Sequence, residues 1–320
     1  MSGCFVTRAL PGPALARLAE RHETTVWPGE LPPTPPELHC ALQACDPEAL
    51  ICTVSDRIDA AALDAAPRLR AIASYAVGYD NIDVAAAAQR GIAVGNTPDV
   101  LTDATADLTF ALLLAGARRL PEGIDRVRDG RWVTWEPSRD LGSAVYGATL
   151  GIVGGGRIGA AVARRAAGFD MTVLIHSRHT ETSFAELLQR SDFVSLHCPL
   201  TDQTHHLIDA AALDEMKRSA ILINTSRGGV VDQQALAAAL REGRIAGAAL
   251  DVTDPEPLPA DDPLLGAPHL IVVPHIGSAT VAAREAMTEL AVGNVLAALD
   301  GEAMPNPVSA PAVRGTGASR

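Results

Sequence analysis

Short apolar runs alternate with amphipathic, alanine-rich stretches along the chain, the pattern of parallel strands flanked by helices. In the first hundred residues this predicts strands at 4–7, 24–27, 50–54, 71–74 and 92–95. Helical pieces fall between them at 13–20 and 83–90, the second capped by Asp83. Residues 28–36 read as a proline-rich loop. Residues 102–120, TDATADLTFALLLAGARRL, read as one long, largely buried helix. Asp103, Asp107, Arg118 and Arg119 bound its apolar part too tightly for a membrane span. From Thr149 the alternation is regular, with strands at 149–153, 172–175, 193–196, 221–224, 248–252 and 271–273. Helices are predicted at 158–167, 184–190, 233–241 and 280–299. The second half thus reads as one doubly wound domain, and its last helix runs on toward the first. No internal repeat is evident, and the polar tail at 314–320 reads as disordered.

One strand-to-helix junction carries chemistry. Gly154, Gly156 and Gly159 form G-x-G-x-x-G between the apolar TLGIV and the helical RIGAAVARRA. The first glycine permits the turn, the second lets backbone approach a pyrophosphate, and the third lets helix pack on strand. The helix N-terminus presents free N–H groups to the phosphates. In an NAD-binding fold the next strand commonly ends in an acid that bonds the ribose hydroxyls. Here it ends in Ser177, followed by Arg178 and His179. Serine donates to a 2′-phosphate and arginine pairs with it in a planar fork. One charge-assisted bond, about 1.5–3 kcal/mol, is about a tenfold to hundredfold preference. NADP(H) is therefore expected over NAD(H), with NAD(H) use still possible.

Three later segments place reactive side chains just beyond apolar strands: Arg227 in ILINTSRGGVVD, Asp251 and Glu256 in GAALDVTDPEPLP, and His275 in LIVVPHIGSAT. Singly, each has a bland alternative as turn, loop or core residue. Together, at strand ends where open α/β sheets bind ligands, they point to acid–base chemistry beside a dinucleotide.

Bulk properties narrow the class. The 320 residues, 48% hydrophobic, suffice for two domains with sizeable cores. A net charge of −12 argues against nucleic acid or an anionic membrane as main partner. No signal-like start or spanning run is found, so a cytoplasmic location is expected. Cys4, Cys40, Cys45, Cys52 and Cys198 fit no metal spacing and read as reduced thiols; no metal is expected.

The ordered motifs SYAVGYDNID, GIAVGNTPDVLTDATADLTFALLLA, LGIVGGGRIG, SLHCPLTDQTHHLI, INTSRGGVVD, ALDVTDPEP and PHIGSAT resemble the D-isomer-specific 2-hydroxyacid dehydrogenases over nearly the whole chain. GRWVTWEP and the SRHT strand ending are similar to the glyoxylate/hydroxypyruvate reductase branch. The resemblance implies two doubly wound α/β domains. A Rossmann cofactor domain at 98–287 would be inserted into a flavodoxin-like substrate domain made of 1–97 and 288–320. It implies an NADP-dependent reduction of a small 2-keto acid, glyoxylate or hydroxypyruvate, to a D-2-hydroxy acid. Arg227 would pair with the substrate carboxylate and polarise the keto oxygen, and His275 would be general acid. Glu256 would hold the imidazole and favour its charged form, so that reduction declines as pH rises. Val77 and Gly78 match the loop that holds the substrate carboxylate. Asp251 matches the anchor of the nicotinamide amide, and Thr102 a phosphate contact. His197, Cys198, Pro199 and Thr204 match the adenine and ribose side. Arg157, Ile158, Thr225, Ser226 and Gly277 lie within the same motifs and are carried over as cofactor contacts.

The long helix and the loop around Trp132 and Trp135 resemble the interface of a homodimer, with Trp135 facing an active site or packed in the interface. Two departures stand out. Gly155 replaces the family's frequent bulky residue, and Ala148 a common lysine. Two other readings stay open: a dehydrogenase of another 2-hydroxy acid, with NAD, or a nucleotide-sensing protein like the related transcriptional corepressors. Formate and phosphite dehydrogenases are also similar, but DVTDPEP and PHIGSAT favour hydroxy acids.

Overall fold

The computed structural model describes residues 3–308; the tail expected to be disordered lies outside them. Contacts divide the chain into two units, Met1–Leu101 with Thr280–Arg320, and Thr102–Ala279. The junctions differ from the expected 97/98 and 287/288 because they follow helix ends. A helix begins at Thr102, and a cut at 287/288 would pass through the helix Val281–Leu299.

Unit 1 holds strands β1 (Gly3–Val6), β2 (Glu23–Val26), β3 (Ala49–Cys52), β4 (Ala71–Ser74) and β5 (Ala93–Gly95), in the order β2-β1-β3-β4-β5. All pairs are parallel, which is the flavodoxin-like order. Helices α1 (Ala14–Arg21), α2 (Pro35–Cys45), α3 (Ala60–Asp64), α4 (Val84–Gln89) and the C-terminal α11 (Val281–Leu299) flank it. The expected loop at 28–36 gives way to α2 at Pro35. Prolines at the first helical positions are pre-set for a helix, and Thr34 with Glu37 closes a capping box.

Unit 2 holds β6 (Thr149–Val153), β7 (Thr172–His176), β8 (Phe193–Leu196), β9 (Ile221–Asn224), β10 (Gly247–Leu250) and β11 (Leu270–Val272), in the order β11-β10-β9-β8-β6-β7. The sheet is parallel and runs both ways from β6, a doubly wound form with one strand, β7, beyond the switch point. The helix expected at 102–120 ends three residues early, as α5 (Thr102–Ala117), and a further helix, α6 (Leu120–Arg128), follows it. The chain breaks at Arg119, whose φ of 51° is left-handed. α5 buries Phe110, Leu112 and Leu113, whereas α6 buries nothing. Helices α7 (Arg157–Ala166), α8 (Phe184–Arg190), α9 (Ala210–Glu215) and α10 (Gln233–Arg241) complete the unit.

A repeat does exist. Ile58–Asp64 and Ile208–Asp214 both read IDAAALD. Each forms the helix between the third and fourth strands of its unit, α3 or α9, and is capped by its own aspartate, Asp59 on the N–H of Ala62 and Asp209 on that of Ala212. Each leading isoleucine makes an isolated parallel bridge, Ile58 with Ile82 and Ile208 with Val231. Seven residues among 320 escape a search for periodicity. Among the described residues no helix is long and apolar enough to cross a membrane.

Candidate active site

Strand register sets the site of unit 2. Val153 pairs with His176 and Leu196, and Leu250 with Asn224 and Val272, so the carboxyl ends of the six strands form one edge. The residues following them are Gly154, Ser177, His197, Thr225, Asp251 and Val273, five of which the sequence singled out.

At the switch point, Gly154 has φ 107°, and a Cβ on it would stand 2.6 Å from the carbonyl carbon of His197. A Cβ on Gly159 would collide with the Gly154 carbonyl oxygen. Only glycine fits either place. Gly156 has open space where its side chain would be, and it precedes α7, which no side chain caps. By contrast, α8, α9 and α10 are capped by Ser183, Asp209 and Asp232. The first turn of α7, with Arg157 and Ile158, therefore offers N–H groups to a ligand beside a bare backbone, which fits a dinucleotide pyrophosphate.

Beyond β7, Ser177 to Thr180 fold into a turn: the Ser177 N–H donates to Thr180 Oγ1 at 2.8 Å, and the Thr180 hydroxyl returns to the Ser177 carbonyl at 3.2 Å. Arg178 and His179 are exposed. Beyond β8, His197 donates its N–H to Val153 O at 2.7 Å, and its Nε2 lies 2.8 Å from the hydroxyl of buried Ser195. Burial pushes the His197 imidazole down to about 4, so it is neutral near pH 7, and pushes the Cys198 thiol up to about 11. Thr204 turns its hydroxyl back to Pro199 O at 2.6 Å, within its own loop.

The reactive groups meet beyond β9, β10 and β11. His275 Nδ1 lies 2.8 Å from Glu256 Oε2, and Glu256 Oε1 accepts the Thr253 N–H at 3.0 Å. Burial is the largest influence on Glu256 and raises its pKa. The hydrogen bond and charge of His275, the Thr253 N–H and the Arg227 charge outweigh it and hold the carboxyl below its ordinary range. Gly228 lets the Arg227 turn approach the Thr253–Asp254 backbone: a Cβ there would collide with the Thr253 carbonyl.

Asp251 is buried and placed to hold the next loop. Its Oδ1 accepts the Ile276 N–H at 2.6 Å and its Oδ2 the Gly277 N–H at 2.8 Å. With the His275 N–H on Asp251 O at 2.9 Å, these bonds fix His275 at a left-handed φ of 52°. Burial raises the Asp251 carboxyl. A Cβ on Gly277 would stand 3.0 Å from Asp251 Oδ2.

Sequence reading missed the residues beneath. Buried Asn224 donates to Arg227 O at 2.9 Å and accepts the Ser226 N–H at 3.0 Å and hydroxyl at 2.8 Å, which shapes the turn of Thr225, Ser226 and Arg227. Thr109 of α5 lies 3.0 Å, hydroxyl to hydroxyl, from Thr225. The available signal was an asparagine ending an apolar strand, since a buried amide needs partners.

Other expected residues belong to other elements. Thr102 opens α5. Val77 and Gly78 belong to unit 1, where Asn96 donates to Val77 O at 2.8 Å and Ser74 to Gly78 O at 3.3 Å. Trp132 and Trp135 are exposed, as are Ile124 and Val127 of α6, so residues 124–135 carry an apolar surface on unit 2.

Residues 110–277 match the family D-isomer specific 2-hydroxyacid dehydrogenase, NAD binding domain. A glyoxylate reductase of Korarchaeum cryptofilum is 50% identical, over 97% of this chain and 96% of that protein. One of Thermococcus kodakarensis is 48% identical over 97% of each. Among solved structures, an NADPH-dependent glyoxylate/hydroxypyruvate reductase of Sinorhizobium meliloti, in complex with NADP and malonate, is similar with a TM-score of 0.85 and 33% identity, over 96% of this chain and 97% of that one.

Proposed function

Since this chain belongs to the D-isomer specific 2-hydroxyacid dehydrogenase family, in its glyoxylate reductase branch, and is an NAD(P)-dependent oxidoreductase, we propose that it reduces glyoxylate or hydroxypyruvate to the D-2-hydroxy acid with NADPH preferred. The observation that carries the reading is the Glu256–His275 contact of 2.8 Å on the sheet edge that also bears the glycine cradle. A bound nicotinamide dinucleotide supplies the hydride. The chain supplies the rest. Gly154, Gly156, Gly159, Arg157 and Ile158 receive the pyrophosphate, with Thr102 as a further phosphate contact. Ser177, Arg178 and His179 receive the 2′-phosphate. His197, Cys198, Pro199 and Thr204 line the adenine and ribose side, and Thr225, Ser226 and Gly277 the cofactor's other half.

Arg227 binds the substrate carboxylate and draws electron density from the keto oxygen, because a guanidinium matches a planar carboxylate and keeps its charge. His275 gives its Nε2 proton to the oxygen as it becomes an alcohol, while Glu256 at Nδ1 holds the ring and offsets its charge. Asp251 keeps the His275 backbone in place and anchors the nicotinamide amide. The apolar surface at 124–135 pairs two copies into a homodimer, and the location is cytoplasmic. Replacing NADPH, a 2-hydroxy acid product or the acid role of His275 by the alternatives above changes the observable chemistry.

Loss of nicotinamide absorbance, with NADPH and NADH in parallel against glyoxylate, hydroxypyruvate and pyruvate, tests the reading. Fast NADPH oxidation with the first two supports it. Turnover with NADH alone removes the phosphate pocket, and tight binding without turnover favours a nucleotide sensor. Arg178→Ala is expected to weaken NADPH about tenfold to hundredfold and NADH little; equal losses contradict the pocket.

A further inference from the structure

The glycines around the start of α7 are there for different reasons. Backbone geometry requires Gly154 and Gly159, as described. Gly155 is required by neither conformation nor packing. Its φ lies outside the left-handed range, and a Cβ built on it would meet Ile175 Cγ2 at 3.4 Å, Ser177 Oγ at 3.5 Å and Ser177 Cβ at 3.6 Å. These are ordinary van der Waals distances, so the fold has room for a Cβ here.

What the missing side chain leaves bare is Ser177. The Ser177 hydroxyl is only loosely engaged: the His179 N–H reaches it at 3.3 Å, and it reaches Thr180 Oγ1 at 3.4 Å. Both bonds are long for their kind. Gly155 is itself exposed, as is Arg178 on the following residue. A side chain on residue 155 would begin 3.5 Å from Ser177 Oγ and cover that hydroxyl from the side of the glycine turn.

We propose that Gly155 is a specificity-determining residue, which by having no side chain keeps the approach to Ser177 open for the 2′-phosphate of the cofactor's adenosine. The proposal rests on the reading of Ser177 and Arg178 as the 2′-phosphate pocket. It adds that the pocket is gated from the fingerprint turn, by a position whose substitution leaves the pyrophosphate cradle intact.

Calorimetric titration of the full chain with adenosine 2′,5′-bisphosphate and with 5′-AMP separates the two ideas without turnover. The unsubstituted chain is expected to bind the bisphosphate about tenfold or more tightly than 5′-AMP. Equal affinities overturn the pocket and the proposal together. Gly155→Leu is expected to weaken the bisphosphate about tenfold while 5′-AMP stays within about threefold. Gly155→Ala, whose Cβ fits at contact distance, moves the same way by about two- to threefold and decides the matter should the leucine variant not fold. If Arg178→Ala abolishes the preference while both Gly155 variants keep it, the pocket stands and the proposal falls. Equal losses of both ligands in the Gly155 variants also overturn it, because they mark damage to the shared cradle.

Discussion

Units 1 and 2 have the same strand order for their first five strands, 2-1-3-4-5 counted within each, and share the IDAAALD helix at the same step. Their switch points are furnished differently. In unit 1 the ends of β1 and β3 are tied together by side chains: buried Asp56 Oδ2 accepts the Thr7 hydroxyl at 2.5 Å, the Thr53 N–H at 2.6 Å and the Thr53 hydroxyl at 2.9 Å. In unit 2 the corresponding ends of β6 and β8 meet through glycine backbone, with no carboxylate between them. Neither first helix, α1 or α7, has a side-chain cap. Topology creates a crevice in both, and residue choice decides whether the protein's own groups or a ligand's occupy it.

The comparison can be broken most sharply at the chemistry found only in unit 2. His275→Gln is expected to lower turnover about 10²–10⁴-fold, the usual worth of a general acid, with cofactor binding by fluorescence unchanged. Near-normal turnover would remove its proton-transfer role. Next, Gly156→Val should weaken cofactor binding about tenfold or more while the melting temperature holds, because open space surrounds that position. Asp56→Ala should do the opposite, destabilising the chain by about 1–3 kcal/mol through its lost buried bonds and leaving cofactor affinity unchanged. A cofactor defect in that variant would mean the two switch points are not independent.

The smallest effect concerns thiols. Burial pushes Cys4 up to about 12 and Cys198 up to about 11 from 9.0, so both stay protonated at pH 8. A thiol reagent should label exposed Cys40 and Cys45 first. Because the folded values are raised, the associated stability is complete below the unfolded value and lost as pH rises through about 11–12. Denaturant titrations at pH 8 and 10.5 should show the decline.

Much of unit 2 was legible because its strands are largely apolar and sharply bounded. The observed limits of β6, β8 and β9, and of α8 and α10, are those predicted. The glycine cradle and the alignment of Arg227, Glu256 and His275 on one edge followed from strand ends. The end of α5 at Ala117 was hidden because the left-handed residue that follows it is Arg119, not the glycine that commonly marks a helix end. α3 and α9 were missed because five- and six-residue helices are too short to show a period, though Asp59 and Asp209 announced them. Asn224 was invisible for another reason: its partners lie in backbone that takes shape only when the turn to Arg227 forms.

α11 packs against α1, β3 and β4, yet nearly 180 residues of unit 2 separate it in sequence from Leu101. During synthesis, at about 5–20 residues per second, the faces it covers therefore stay open for roughly 10–40 s after β5 is made. Residues 102–279 need no such late partner. The inserted unit can be complete on the ribosome before the unit that contains the N-terminus.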